Sequence, residues 1–533
     1  MSVNVIINGK KVQAPDGALL IDVCKEIGID IPHFCYHPGL GPDGNCRMCQ
    51  VDFVGPRGNK LGISCKTVVA EGMEVLTDSE AAKGARASVE EMLLLNHPLD
   101  CPICDKAGEC SLQNYYMEHD LQTGRQDFTR FRKEKAKDIG PTLVLDQERC
   151  VLCDRCVRFL RDVAHDEQLY IAGRGHEAYI TTFPGQEVTS PYSINTVDLC
   201  PVGALTSKDF RFNSATWFLK NTNSVCTTCA RGCSMQVQTK KDQVYRMRPR
   251  ENADVNGYWA CDEGRINYQF VNHDRIVTPF LRRGAEVIEC SLPEAVAEMR
   301  ALFGFKPAGQ IDRPSGKKIV VLASATCTLE EMFLLNRLAK ECLNAPVVVA
   351  RHVPDGVDDH LLRRADKHPN ARGAGMLGMR VLDLQHGGAD ELKNQLGSDG
   401  VLLTVGFNTH VDAIAPVWKS AARVIALSGC KSALTEAAAL VVPGRTFAEK
   451  EGVIVNFQGH AQMLRPALET KAETETEWRI IDALIASLLG TPVHASIAHL
   501  RKAIQDGVPA FGGVDLLKLG LTGARATGQT IAS

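Results

Sequence analysis

Apolar and polar positions follow two different rhythms along this chain. Near the start, residues 2–7 alternate in steps of two and predict a strand. Asn8-Gly9 is a strong hairpin turn, and residues 11–14 predict the returning strand. Residues 19–27 switch to helical spacing and stop at Gly28. Strands are further predicted at 51–54 and 73–76. A helix over 79–96 can be capped by Asp78 or Ser79, with Ala81, Ala85, Val89, Met92 and Leu93 on one face. It ends before Pro98, which disfavours helix at His97. Later strands are predicted at 142–145, 235–239 and 244–248. Residues 123–138, rich in Arg and Lys, read as a solvated connecting segment.

From about residue 280 the rhythm changes. Short apolar runs at 318–323, 347–350, 381–384, 401–405 and 423–427 alternate with helical stretches such as 329–343 and 391–396. That alternation predicts a parallel, doubly wound sheet. A strand is predicted at 452–457 and a final helix at 475–489. Gly373, Gly375 and Gly378 satisfy the letter of G-x-G-x-x-G, but no strand precedes them. The stretch therefore reads as a loop without dinucleotide binding. No phosphate-binding P-loop and no nucleophile elbow occur.

A chain of 533 residues exceeds one hydrophobic core and should form three or four domains. A net charge of −3 argues against nucleic acid as a partner. No run approaches the roughly 20 apolar residues of a membrane span. The first residues resemble neither an export signal nor a transit peptide, so a reducing cytoplasm is expected. Twenty cysteines in such a compartment point to thiolate–metal bonds rather than disulfides.

Fifteen of those cysteines and one histidine fall into four groups of four. Cys35, Cys46, Cys49 and Cys65 have the spacing C-x10-C-x2-C-x15-C. This differs from plant-type [2Fe–2S] ferredoxins mainly in a longer first gap, and a zinc knuckle is the competing reading. The loop Pro38–Gly44 is rich in glycine, which lets backbone amides approach bridging sulfides. His97, Cys101, Cys104 and Cys110 form a second group, for which spacing alone does not separate structural zinc from an iron cluster. Cys150, Cys153 and Cys156 with the distant Cys200-Pro201 make one half of a bacterial ferredoxin pair. Leu160 stands where the other half would need a ligand, so one [4Fe–4S] cluster is expected. Cys226, Cys229, Cys233 and Cys261 resemble the N-terminal [4Fe–4S] site of molybdopterin oxidoreductases. Cys24, Cys290, Cys327, Cys342 and Cys430 stand singly and read as small buried hydrophobes.

The order of these four groups resembles one family throughout: the large iron–sulfur subunit of respiratory NADH:quinone oxidoreductase, complex I. The resemblance is specific over residues 1–275 and looser beyond. It implies a multidomain α+β fold. The first part would be a β-grasp [2Fe–2S] ferredoxin-like domain (1–78). A helical [4Fe–4S] domain with one histidine and three cysteine ligands (79–122) and a [4Fe–4S] ferredoxin-like domain (139–217) would come next. A molybdoenzyme-type [4Fe–4S] domain (219–275) and a truncated molybdopterin-oxidoreductase-like α/β domain without cofactor (280–533) would follow. The resemblance further implies that the His97 group holds a [4Fe–4S] cluster rather than zinc. The cofactors would be one [2Fe–2S] and three [4Fe–4S] clusters, with no molybdopterin. The chain would carry electrons singly and have no catalytic residue of its own. A His ligand in place of one thiolate should raise its cluster's potential. Implied partners are the flavin-bearing NADH-oxidising subunit, its small [2Fe–2S] companion and the quinone-side subunits of the peripheral arm. The implied location is the cytoplasmic face of the bacterial inner membrane, without a span of its own.

A molybdenum-dependent formate dehydrogenase is the main rival. Against it stand the short region after Cys261, about 270 residues, and Glu263, where catalytic members of that class typically carry a Lys. An iron-only hydrogenase would need further clustered cysteines downstream. A zinc scaffold would be colourless. Asn456, Gln458 and His460 resemble the remnant of a molybdoenzyme motif and receive no ligand role.

Overall fold

The computed structural model describes residues 2–120, 124–305, 318–470, 473, 475–490 and 494–526. The chain divides into two compact units, Met1–Leu219 and Lys220–Ser533.

The first unit opens with strands β1 (Ser2–Ile7), β2 (Lys10–Pro15), β3 (Gln50–Phe53), β4 (Lys60–Ile63) and β5 (Glu74–Leu76), in the order β2-β1-β5-β3-β4. β1 and β5 are parallel and the other pairs antiparallel. Val5 and Ile7 point inward with Val51 and Val75, and pack with Leu20 and Val23 of helix α1 (Leu20–Glu26). Asn8 and Gly9, at φ 49° and 75°, supply the left-handed pair that a tight hairpin requires. β4 escapes sequence reading because it is an edge strand, exposed or half-buried throughout, without an apolar alternation.

Helix α2 (Glu80–Leu94) is capped by Ser79, whose hydroxyl accepts from Ala82 N at 3.1 Å. Its buried side is not the predicted one. Ala82, Arg86, Ala87 and Glu90 face inward, while Met92 is 67% exposed. The reason is polar: the Arg86 guanidinium donates twice to the Gln50 carbonyl, at 2.7 and 3.1 Å, and this fixes the rotation of the helix.

After α3 (Ser111–Tyr115), strands β6 (Lys137–Asp138), β7 (Leu143–Leu145) and β10 (Leu205–Ser207) form a small sheet ordered β10-β7-β6. Between β7 and β10 lie α4 (Arg155–Arg158), the hairpin of β8 (Tyr170–Ala172) and β9 (Tyr179–Thr181), and α5 (Asn195–Leu199). The described part of the basic segment before β7 is more than a solvated face. Arg125 pairs with Glu91, and Lys135 reaches Asp100 at 2.5 Å and Glu148 at 2.8 Å.

The second unit begins with an antiparallel sheet of β11 (Lys220–Val225), β12 (Ser234–Lys240) and β13 (Gln243–Pro249), then α6 (Asp262–Ile266) and α7 (Gln269–Asn272). Its main body is an eight-stranded sheet. The strands are β14 (Phe280–Arg283), β15 (Glu286–Glu289), β16 (Ile319–Ser324), β17 (Val347–Arg351), β18 (Arg380–Asp383), β19 (Val401–Val405), β20 (Arg423–Ser428) and β21 (Leu440–Pro443). Their order is β15-β14-β21-β20-β19-β16-β17-β18, parallel from β21 to β18. Val321, Ala323, Leu403 and Leu427 belong to the core on one face, and Val320, Leu322, Leu402 and Ala426 to the core on the other. A sheet covered on both faces needs both sets of alternating positions apolar, so its strands read as continuous runs.

Helices α8 (Leu292–Phe303), α9 (Leu329–Arg337), α10 (Ala371–Met376), α11 (Ala389–Leu396), α12 (Ala415–Trp418) and α13 (Ala433–Ala437) accompany the sheet. Strands β22 (Gly452–Val455) and β23 (His460–Leu464), helices α14 (Glu477–Leu489) and α15 (Ile497–Gly507), and β24 (Ala524–Arg525) complete the unit. Two expectations are corrected. The Gly373–Gly378 stretch is mostly helix rather than loop: Gly373 lies so close to Asn370 that a Cβ there would stand 2.3 Å from its Oδ1. The helix expected to be last is followed by α15, a strongly amphipathic helix with Leu500 and Ile504 buried.

Candidate metal centres

The first group sits on the glycine-rich loop before β3 and on the turn after β4. Cys35, Cys49 and Cys65 are buried and Cys46 is half-buried. The thiols form a connected set: Cys35 is hydrogen-bonded to Cys46 and Cys65, and Cys49 to Cys65. Amides of Gly44 and Cys46 point at the Cys35 sulfur, and that of Met48 at the Cys46 sulfur. The hydrogen bonds from Cys46 and Cys65 hold the Cys35 thiol well below its ordinary range; those shared protons push Cys46 and Cys65 up. Amides converging on sulfur are the environment a cluster thiolate needs.

The second group follows α2. His97, Cys101 and Cys110 line one cavity of about 470 Å³, and Cys104 lines a neighbouring one of about 670 Å³. Three of the four residues therefore face a common space. The Cys104 sulfur packs against Gly203, where a Cβ would stand 2.2 Å from it, so only glycine fits there. Burial, with Arg149 nearby, holds the His97 imidazole down to about 4, leaving it neutral as a metal ligand must be.

The third group lines a small apolar pocket together with Leu145, Val151 and Leu205. The loop wraps around it through left-handed Leu152 and Asp154, at φ 52° and 59°. Burial pushes the Cys150 thiol up to about 12, and raises Cys153 and Cys156 as well, with the neighbouring thiolates adding to each. A cationic iron core is what would let such a set ionise together. Leu160, where a second ferredoxin cluster would need a ligand, is fully buried apolar core.

The fourth group joins the β11–β12 loop to the start of α6. All four thiols are buried, and the Cys261 sulfur caps α6 by accepting from Gly264 N at 3.4 Å. A Cβ at Gly264 would stand 3.0 Å from the Cys226 sulfur. Glu263, which the sequence places awkwardly beside this group, is paired with Lys367 at 2.6 Å.

Among the described residues, the only three candidate ligand atoms all within 4.8 Å of each other belong to Asp355, Asp366 and His368.

Sequence reading misses the residues that link the groups. Arg155 and Arg158, beside the Cys156 ligand position, are buried at 8% and 6% exposure. Arg158 donates to the carbonyls of Cys35, Leu40 and Gly41, and Arg155 to those of Tyr36 and Leu199. The helix of the third group thus grips the loop of the first. On its other side, Arg149 donates to Asp100 at 2.9 and 3.1 Å, Lys106 Nζ to Val197 O at 3.2 Å, and Ser111 N to Pro201 O at 2.8 Å. These contacts tie the third group to the second. The only available signal was arginine placed between ligands in Cys153-Asp-Arg-Cys-Val-Arg158. Asn456 also links distant segments: its Oδ1 accepts from the amides of Gln458 and His460, and its Nδ2 donates to the Arg231 carbonyl in the loop of the fourth group at 3.1 Å.

Family models match in sequence order. A 2Fe-2S iron-sulfur cluster binding domain covers residues 1–80, the NADH-ubiquinone oxidoreductase-G iron-sulfur binding region 86–125, and the NADH-quinone oxidoreductase subunit 3 ferredoxin-like domain 140–206. The Molybdopterin oxidoreductase Fe4S4 domain covers 219–273, and Molybdopterin oxidoreductase 370–487. The G-type subunit of the NADH-quinone oxidoreductase of Rickettsia conorii is 36% identical over 335 residues, 63% of this chain and 48% of that protein. The mitochondrial NADH-ubiquinone oxidoreductase 78 kDa subunit of Candida albicans is 38% identical over 350 residues, 65% of this chain and 48% of that protein. A chain of an NAD+-reducing [NiFe]-hydrogenase in the H2-reduced state matches at 29% identity and TM-score 0.37, covering 40% of this chain and 92% of its own. The chain spans about half the length of the curated relatives it matches. With [2Fe–2S], [4Fe–4S] and molybdopterin-oxidoreductase-like domains in this order, it is a homologue of the G-type, 75 kDa-type iron–sulfur subunits of NADH:quinone oxidoreductase.

Proposed function

We propose that this chain is an electron relay within an NADH:quinone oxidoreductase. In this reading Cys35, Cys46, Cys49 and Cys65 hold a [2Fe–2S] cluster. His97, Cys101, Cys104 and Cys110 hold a [4Fe–4S] cluster, as do Cys150, Cys153, Cys156 and Cys200, and also Cys226, Cys229, Cys233 and Cys261. The clusters supply one-electron chemistry; the protein supplies their spacing, burial and hydrogen bonds. The observation that carries the reading is the pattern of bridging contacts. Arg155, through the Tyr36 carbonyl, and Arg158 join the third group to the first, and Arg149, Lys106 and Ser111 join it to the second. In this reading electrons entering at the first group pass the third before the second.

The partners are then a flavin-bearing NADH-oxidising subunit and its [2Fe–2S] companion on one side, and quinone-side subunits on the other. The chain is peripheral to the membrane, on its cytoplasmic face. Among the described residues no helix is long and apolar enough to cross a membrane. No pterin is assigned: the region after Cys261 is about 270 residues, and Glu263, where catalytic molybdoenzymes typically carry a Lys, is paired with Lys367 at 2.6 Å.

The test is an EPR redox titration of the anaerobically reconstituted chain. One [2Fe–2S] and three [4Fe–4S] signals are expected, and in His97→Cys one [4Fe–4S] potential should fall. A colourless, iron-free product would refute the reading.

A further inference from the structure

A buried lysine stands where the second and third groups meet. Lys106 lies between Cys104 and Cys110 in sequence, and its side chain is 8% exposed. Its Nζ crosses to the other group and donates to the Val197 carbonyl at 3.2 Å. Val197 belongs to α5, the short helix that ends at Cys200. The last carbonyls of a helix have no partner within it. Two cations serve them here: Lys106 at Val197 and, from the third group, Arg155 at Leu199.

The two segments are in close contact along this boundary. At Gly203, three residues beyond Cys200, a Cβ would stand 2.2 Å from the Cys104 sulfur and 3.3 Å from the Lys106 Cβ. Burial raises the Cys104 thiol, and the Lys106 amide pulls it back. Burial likewise pushes the Cys110 thiol up to about 11, with the Lys106 charge among the influences that oppose it. Arg149, another buried cation at this boundary, is balanced by Asp100 at 2.9 Å and Asp146 at 3.3 Å. Lys106 is less compensated. Its ion-pair partner is Glu109, whose Oε1 is 3.8 Å away, beyond hydrogen-bond reach, and whose side chain is 20% exposed. A charge held away from water in this way is weakly screened and acts on what lies beside it.

We propose that Lys106 is a positioning residue that biases electron transfer from the third group toward the second. The inference rests on the electron-relay reading. In the step itself one electron leaves the third cluster, which is oxidised, and enters the second, which is reduced; no bond forms or breaks. The cluster that accepts gains one negative charge, and a fixed cation beside it favours that state. Lys106 is part of the ligand loop of the second group and meets the third only at the helix before Cys200. It therefore favours reduction of the second cluster more than of the third, and draws the electron forward.

The experiment is an EPR redox titration of the reconstituted full chain, with the second-group signal identified as the one that His97→Cys moves. Lys106→Met should lower that potential by at least ~59 mV, a tenfold change in a one-electron equilibrium. The third cluster should fall by less and the first should stay. Lys106→Arg, which keeps the charge, should hold the wild-type potential. Glu109→Gln removes the opposing charge and leaves the Val197 hydrogen bond in place, so it should raise the potential, which a merely structural role for Lys106 would not produce. If Lys106→Met does not assemble its clusters, Lys106→Arg and Glu109→Gln carry the test. A second-group potential unmoved by Lys106→Met would overturn the proposal. So would a third-group shift as large as the second, or a potential that stays or falls in Glu109→Gln. A wild-type chain without clusters would contradict the relay reading, whereas assembled clusters indifferent to Lys106 and Glu109 would contradict this inference alone.

Discussion

Residues 220–533 close around strands that are apolar on both faces, whereas much of residues 1–219 closes around thiols, arginines and backbone carbonyls. In the second unit β16 and β19 are buried at every position. In the first, beyond the five-stranded sheet, order depends on loops wrapped about the cysteine groups, with Arg155 and Arg158 spending buried guanidinium donors on carbonyls. A parallel sheet supplies its own hydrophobic free energy. Loops of that kind depend on what the ligands hold. The difference separates scaffold from centre within one polypeptide.

The largest effect should come from removing iron. By analogy with structural metal sites worth roughly 10–16 kcal/mol, anaerobic chelation should leave residues 79–218 open to hydrogen exchange while β16, β19 and β20 stay protected. Equal loss of protection in both units would erase the contrast. Next in size is Arg158→Met. It strips hydrogen bonds from the Cys35, Leu40 and Gly41 carbonyls and leaves Asp154 without its 2.9 Å partner. Breaking a buried ion pair costs about 3–5 kcal/mol. Thermal melting should show that loss, and EPR should show changed line shapes for both the first and third clusters.

Leu403→Ala probes the other side. Leu403 is 1% exposed in the centre of the sheet, and the truncation should cost about 2–5 kcal/mol. The melt of the second unit should fall while the EPR signals of the first three groups keep their potentials. The smallest effect concerns pH. Burial holds the His352 imidazole down to about 4, so this residue favours the folded state above its ordinary pKa of 6.5. That contribution is lost as pH falls from 6.5 through 4 and amounts to at most on the order of 3 kcal/mol. Comparing wild type with His352→Phe over that range by thermal melting should show a shallower acid loss in the variant.

The contrast also explains what could be read in advance. Val320–Leu322 and Leu402–Val405 announce a doubly covered sheet because burial on both faces demands apolar residues in both registers. Cys spacing announces the four groups because ligands close in sequence must turn toward one centre. β4 and the inner face of α2 were hidden, the first because edge strands carry no burial pattern, the second because Arg86 overrides the apolar stripe through Gln50. The linking arginines were hidden for a deeper reason. Arg155 and Arg158 reach the first group through carbonyls more than a hundred residues away, and every residue has a carbonyl, so no sequence pattern marks which ones will be used.

The central claim is that the third group stands between the first and the second. Pulsed EPR of the reconstituted chain, poised so that chosen pairs of clusters are reduced, measures their dipolar coupling directly. The account predicts stronger coupling of the third cluster with each of the other two than between the first and the second. A first–second coupling as strong as either would contradict it.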